Sequence, residues 1–317
     1  MSAANLPYLR ASDVEAHLDW PMMVQAIADG HRLAPARIGD LFLTRDGDTL
    51  LNRAAWIDGM GIGLKTVTVM QGNGARGLPS VQGVMVLFDD VTGTPVALID
   101  SALVTYWKTA ADSGLGARHL ARPDSRQMVI IGAGQVAGSL ARVYHATFPD
   151  LERIGIWNRT AATAQALAET LVADGIPAVA APDLAQALGQ ADIVASATMA
   201  REPVLRGEWV RPGTHVDLVG AFRADMREAD DALLRRARIF VDSRDTTLDH
   251  IGELKIPLAA GVITRDDVLG DFHDLEAGRS GRMSPDDITL FKNGGGAHLD
   301  LMIAGAILAA WRGTADA

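Results

Sequence analysis

The segment Gly132-Ala133-Gly134-Gln135-Val136-Ala137 follows the apolar run Met128–Ile131 and opens a stretch with helical spacing. The order Gly-x-Gly-x-x-small suits phosphate chemistry. The first glycine permits a tight turn, and the second lets backbone approach a pyrophosphate. A small third residue lets helix and strand pack closely, and the helix N-terminus supplies free N–H groups to the anion. A dinucleotide site is therefore expected on Gly132, Ala133, Gly134, Gln135 and Val136, with Thr198 and Val219 at the ends of two later apolar runs. The next strand, Ile154–Trp157, ends without the acid that usually binds a free ribose 2′-hydroxyl. Asn158, Arg159 and Thr160 stand there instead. No carboxylate would repel a 2′-phosphate, and Arg159, unless it is only a solvated loop arginine, could hold one with two hydrogen bonds. The expected cofactor is NADPH, with NADH possible.

A second set of residues carries positive charge among apolar neighbours. Lys65 sits in the otherwise uncharged GIGLKTVTV, so it faces either solvent or a site, and Arg53 in LLNRAAWI poses the same choice. Lys108 and Asp112 are four apart on an expected helix, which allows a surface ion pair or a site. A small carboxylate taken out of water needs such cations to replace its hydration.

The elements that must position these residues follow from periodicity. Residues 12–33 are expected as a helix in two pieces, with Ser12 as N-cap and Pro21 interrupting or restarting it. From about residue 40, short runs rich in Val, Leu and Ile predict strands, and GVMVLFD and PVALID, joined by DVTGT, predict a hairpin. A helix is expected from Ser101 to about Leu120, with RPDS (122–125) as breaker and domain boundary. Strand and helix then alternate from Met128 onward, the pattern of a doubly wound parallel sheet. The fold class expected is α/β: a Rossmann-type parallel sheet over 122–296, beside a mostly antiparallel α+β domain built from 1–121 and 297–317.

Composition narrows the function. The chain is 48% hydrophobic and 21% charged, as a soluble globular protein would be. It has no cysteine, and its eight histidines lack ligand spacing, so no metal site is expected. A net charge of −10 argues against nucleic acid or an anionic membrane as partner. The N-terminus lacks a signal-peptide pattern, and LMIAGAILAAW (301–311) is too short to span a bilayer and reads as a buried helix. A cytoplasmic location is the default expectation.

The segments GIGLKTVTV (61–69), GLPSVQGVMVLFDDVTGTPVALID (77–100), WKTAADSGLGARHLARPDS (107–125), IIGAGQVA (130–137), GAFRADMREADD (220–231) and DITLFKNGGGAHLDL (287–301) together resemble the ornithine cyclodeaminase/μ-crystallin family. The resemblance implies a substrate domain first, a Rossmann domain second, a last helix that returns to the first domain, and a homodimer formed through that domain. It implies that Arg37, Lys65 and Lys108 hold a substrate carboxylate, Lys108 standing where arginine is usual, with Ser80 where a threonine helps. Lys65 is the expected catalytic residue and Arg53 a further pocket candidate. Cyclodeaminating members carry an aspartate where this chain has Phe222; Asp225 would have to compensate. The branch implied is thus the one that reduces cyclic ketimines such as Δ1-pyrroline-2-carboxylate, with Phe222 either as an apolar wall or as ordinary packing. A cyclodeaminase, an alanine-type amino-acid dehydrogenase and a non-catalytic NADPH-binding protein are the alternatives. His298, near three successive glycines, is either a core histidine or one that reaches the nicotinamide.

Overall fold

The computed structural model describes residues 6–315, which divide into two compact units, 6–108 with 296–315, and 109–295. The expected break at Arg122–Ser125 is corrected to a point inside the helix Ser101–Leu120. Pro123 does follow the helix end. The later half of that helix nevertheless packs within the second unit: Gly116 lies against the Phe291 ring, and Asn293 Nδ2 donates to Thr109 O and Ser113 Oγ at 2.9 and 3.0 Å.

The first unit is a six-stranded sheet. Its strands are β1 (Tyr8–Leu9), β2 (Arg37–Arg45), β3 (Asp48–Ile57), β4 (Gly61–Val69), β5 (Val81–Phe88) and β6 (Pro95–Asp100), in the order β1-β6-β5-β4-β3-β2. All pairings are antiparallel except the short parallel β1–β6 contact. The expected hairpin is β5–β6, where Asp89 accepts the Val91 and Thr92 N–H groups of the turn. Burial alternates along β4, with Gly61, Gly63, Lys65 and Val67 on one face, as pleating requires. The helix Ala297–Ala315 covers that face. A Cβ on Gly63 would lie 3.1 Å from Leu301 Cδ1 and 2.4 Å from Met85 Cε, so glycine permits the close approach. The expected N-terminal helix is two pieces, Ala11–Val14 and Trp20–His31. Ser12 is not its cap: Arg10 holds that position, and Asp19 caps the second piece by accepting the Met22 N–H at 2.7 Å.

The second unit is an eight-stranded, wholly parallel sheet. Its strands are β7 (Gln127–Ile131), β8 (Arg153–Trp157), β9 (Ala178–Ala180), β10 (Ile193–Ser196), β11 (His215–Leu218), β12 (Ala237–Val241), β13 (Val268–Gly270) and β14 (Ile288–Lys292). They run in the order β13-β12-β14-β11-β10-β7-β8-β9. Succession reverses between β7 and β10, which creates the switch-point crevice where such sheets bind ligands. β14 inserts between β11 and β12, with every residue buried.

Candidate active site

The pairing register of the first unit builds a row of side chains on its helix-covered face. Ile99 of β6, Met85 of β5, Lys65 of β4, Arg53 of β3 and Asp40 of β2 stand directly opposite one another in turn. The row passes from apolar residues in the core to charges toward the β2 edge. Lys65, only 7% exposed, donates to Asp300 Oδ1 at 2.6 Å, and Arg53 pairs with Asp40 at 2.9 Å. Asp300 is in the first turn of the Ala297–Ala315 helix, where the helix dipole favours negative charge. Burial lowers the Lys65 pKa from its usual value; Asp300 opposes the shift, while Lys108 and Arg53 add to it.

Lys108 is also buried and takes no ion-pair partner among the described residues. Of the two readings open for Lys108 and Asp112, the surface ion pair is excluded, since both residues are buried. Lys65 thus feels the charges of both Arg53 and Lys108, while Asp300 pairs with Lys65 and Asp40 with Arg53.

Arg37 is not brought to this cluster, and its expected place there is corrected. It lies three residues from Asp40 on β2, so its side chain leaves from the opposite face. There it pairs with Asp58 at 2.8 Å and lies over the Trp56 ring at 5.9 Å. Ser80 is exposed beside the Val69–Val81 pair, four positions along the ladder from Lys65–Met85, or about 14 Å away at strand rise. It does not join the cluster. His298 is buried edge-on to His31, with ring centroids 5.5 Å apart, as a core histidine would be.

In the second unit, Gly132 directly follows β7 with φ +116°, and a Cβ there would sit 2.6 Å from Ala197 O. Gly134 caps the helix Gln135–Thr147, and a Cβ on it would meet nothing within 4 Å. The turn thus needs its first glycine for backbone geometry, while the second leaves an open approach to the helix N-terminus. Ala133 lies between them, and Gln135 and Val136 begin the helix with Val136 37% exposed. These features fit a dinucleotide pyrophosphate. At the end of β8, Asn158 Nδ2 donates to Thr160 O at 3.1 Å, and Arg159 is exposed without a carboxylate partner among the described residues.

Glu228, fully buried, ties together the loops that follow β10 and β11. Its Oε1 accepts Ser196 Oγ at 2.6 Å, Thr198 Oγ1 at 2.7 Å and the Thr198 N–H at 2.8 Å. Its Oε2 accepts the Gly220 and Ala221 N–H groups at 2.6 and 3.2 Å. Thr198 and Val219 are held in place by this carboxylate and by strand ends. Phe222, next along, is 54% exposed with the Arg223 guanidinium 5.4 Å from its ring, so it is not strand-end packing. Asp225 is on the surface, paired with Arg201 at 3.2 Å. Asp300, Asp40 and Glu228 were not anticipated as site residues. The one available signal was an aspartate opening an otherwise apolar helix.

Among the described residues no group of three or more acidic or histidine side chains is placed to hold a metal ion, and no helix is long and apolar enough to cross a membrane.

The model of the ornithine cyclodeaminase/mu-crystallin family matches residues 35–315. Over 303 residues the chain is 58% identical to the Δ1-pyrroline-2-carboxylate reductase of Paracoccus denitrificans (strain Pd 1222), covering 95% of each. The structure of Thermococcus litoralis Δ1-pyrroline-2-carboxylate reductase in complex with NADH and L-proline matches with TM-score 0.90 at 28% identity, over 98% of both chains. An archaeal alanine dehydrogenase dimer with bound NAD matches with TM-score 0.90, also at 28% identity, over 98% of this chain and 97% of that one. By sequence and by fold alike, the chain belongs to the ornithine cyclodeaminase/mu-crystallin family.

Proposed function

We propose that this protein is an oxidoreductase that reduces a cyclic ketimine carboxylate, Δ1-pyrroline-2-carboxylate or its six-membered homologue, to L-proline or L-pipecolate. The observation that carries the reading is the buried cation excess around Lys65. Lys65 and Arg53 have internal counter-charges in Asp300 and Asp40, and Lys108 has none among the described residues. A ligand carboxylate supplies the missing negative charge in a place poor in water. Similarity to the Paracoccus reductase supports the choice of substrate.

A bound reduced nicotinamide dinucleotide supplies hydride to the imine carbon. The chain's own residues do the rest. Gly132, Ala133, Gly134, Gln135 and Val136 receive the pyrophosphate, while Asn158, Arg159 and Thr160 receive the ribose, and its 2′-phosphate in NADPH. NADPH is the preferred form, on the strength of Asn158 and Arg159 in place of an acid; that NADH is also accepted is in line with the NADH and NAD held by the two solved relatives. Lys65 and Lys108 anchor the carboxylate, and Lys65 Nζ holds a proton near the imine nitrogen, its release favoured by burial. Phe222 offers an apolar wall to the ring methylenes.

A homodimer is part of the proposal. All nine residues of edge strand β2 are exposed, among them Leu41, Phe42 and Leu43, and an apolar sheet edge of this kind favours pairing with another chain. The fold match to the archaeal alanine dehydrogenase dimer supports it.

The test is to mix the purified protein with Δ1-pyrroline-2-carboxylate and NADPH, then NADH, and follow nicotinamide absorbance and product. Proline formed with dinucleotide oxidation is expected. The likeness to alanine dehydrogenase favours a second reading, oxidation of an open-chain amino acid. Turnover of L-alanine with NAD⁺ but none of the imine would replace the first reading with it.

A further inference from the structure

Asp300 uses only half of its carboxylate. Oδ1 receives Lys65 Nζ at 2.6 Å, whereas Oδ2 is buried and takes no hydrogen bond from the protein. The side chain is 1% exposed, and a buried carboxylate oxygen without a donor is costly. Leu301, the next residue, packs closely over Gly63, two residues before Lys65 on the same face of β4, so the helix seats Asp300 against this face. The carboxylate is thus fixed beside a cation cluster with one acceptor oxygen unused.

The chemistry of the ligand gives that oxygen a use. In an α-imino or α-amino carboxylate the nitrogen is two bonds from the carboxyl carbon. A ligand whose carboxylate is held by Lys65 and Lys108 therefore presents its nitrogen close to whatever else Lys65 touches, and Lys65 touches Asp300. We propose that Asp300 reads the substrate nitrogen: Oδ2 accepts the N–H of the iminium or amine while Oδ1 holds Lys65. Asp300 then selects α-imino and α-amino carboxylates over α-keto and ether carboxylates, whose oxygen at that position has no hydrogen to donate and would set lone pairs against the carboxylate. The assignment rests on the reading above, in which the cation cluster binds a substrate carboxylate.

The experiment measures binding by calorimetry on protein saturated with whichever of NAD⁺ or NADP⁺ it binds more tightly. L-proline is compared with (S)-tetrahydrofuran-2-carboxylate, and L-alanine with (S)-2-methoxypropanoate, the oxygen member of each pair lacking a donor hydrogen at that position. Wild-type protein is expected to bind L-proline at least tenfold more tightly than the ether. Asp300→Asn is expected to weaken L-proline at least tenfold while the ether holds or gains. Loss of both ligands by one common factor overturns the proposal, because Asp300 would then act solely through Lys65. Absence of nitrogen preference in the wild-type protein overturns it without any variant, which covers the case in which Asp300→Asn fails to fold. If the cyclic pair does not bind and the open-chain pair shows the preference, the cyclic-ketimine reading fails and the role of Asp300 stands. Binding of neither pair overturns both.

Discussion

Lys65 and Asp300 are 235 positions apart in the chain and 2.6 Å apart in the first unit, buried together between β4 and the last helix. The pair exists because the strand's pleat puts Lys65 on the covered face and Gly63 lets the helix come down onto it. Removing one member leaves the other's charge buried without its partner. Lys65→Met is therefore expected to lower unfolding free energy by about 3–5 kcal/mol. The double variant Lys65→Met/Asp300→Leu should recover most of that loss, since a well-packed apolar pair can match a buried ion pair. Urea denaturation of both variants checks it, and a loss below about 1 kcal/mol in the single variant contradicts the burial described.

The two glycines of the loop after β7 are expected to fail in different ways. Gly132→Ala forces φ +116° on a residue with a Cβ and drives that atom to 2.6 Å from Ala197 O. It should cost about 1–3 kcal/mol of stability and abolish dinucleotide binding. Gly134→Ala meets no protein atom within 4 Å. Its melting temperature should stay near wild type, while the methyl obstructs the pyrophosphate and weakens dinucleotide binding about tenfold or more. Thermal melts and fluorescence titration with the dinucleotide separate the two. Equal melting losses would mean that the loop is not shaped as described.

Much of this fold was legible in the sequence for a physical reason. The Ser101–Leu120 helix and strands such as β7 and β8 are continuous, locally periodic segments bounded by breakers, so their limits follow from neighbours alone. β13 has three residues and no period to read, and the place of β14 between β11 and β12 depends on pairing across most of the unit. The candidate site divides in the same way. The glycine loop and Asn158-Arg159 are local motifs. The Asp40–Arg53–Lys65 row requires the pairing register of three strands, and a single residue of parity turned Arg37 to the other face. The partner of Lys65 lies on a helix at the far end of the chain, where only an acid heading an apolar helix hinted at it.

Selection between dinucleotides is expected to depend on Arg159. It stands exposed, without an internal carboxylate among the described residues, two residues after Trp157 ends β8. Arg159→Ser should lower kcat/KM for NADPH about tenfold or more, on the order of 1.4 kcal/mol, and leave NADH nearly unchanged. Asn158→Asp should push the preference further toward NADH by setting a negative charge against the 2′-phosphate. Steady-state kinetics with both dinucleotides decides it. Equal losses for NADPH and NADH in Arg159→Ser would show that the arginine serves the shared part of the cofactor.

The contribution of two buried carboxyls to the stability of the second unit is expected to fall as pH rises toward neutrality. Asp217 is fully buried, with Tyr144 Oη donating to its Oδ2 at 3.0 Å, and burial raises its pKa from 3.8 to about 7. Burial likewise pushes Glu253 up to about 7 from 4.5. Between the ordinary and raised values the folded protein holds a proton that the unfolded chain has released, so ν_U − ν_N is negative and stability drops with increasing pH. The contribution of Asp217 is complete below about pH 4 and is lost as pH passes through about 7. Asp217→Asn removes that proton while keeping an acceptor for Tyr144. The difference in unfolding free energy, wild type minus Asp217→Asn, should therefore decline by on the order of 1 kcal/mol per pH unit across this window. Urea denaturation at pH 5, 6, 7 and 8 measures it, and a difference that stays flat would show that Asp217 is already ionised in the folded protein.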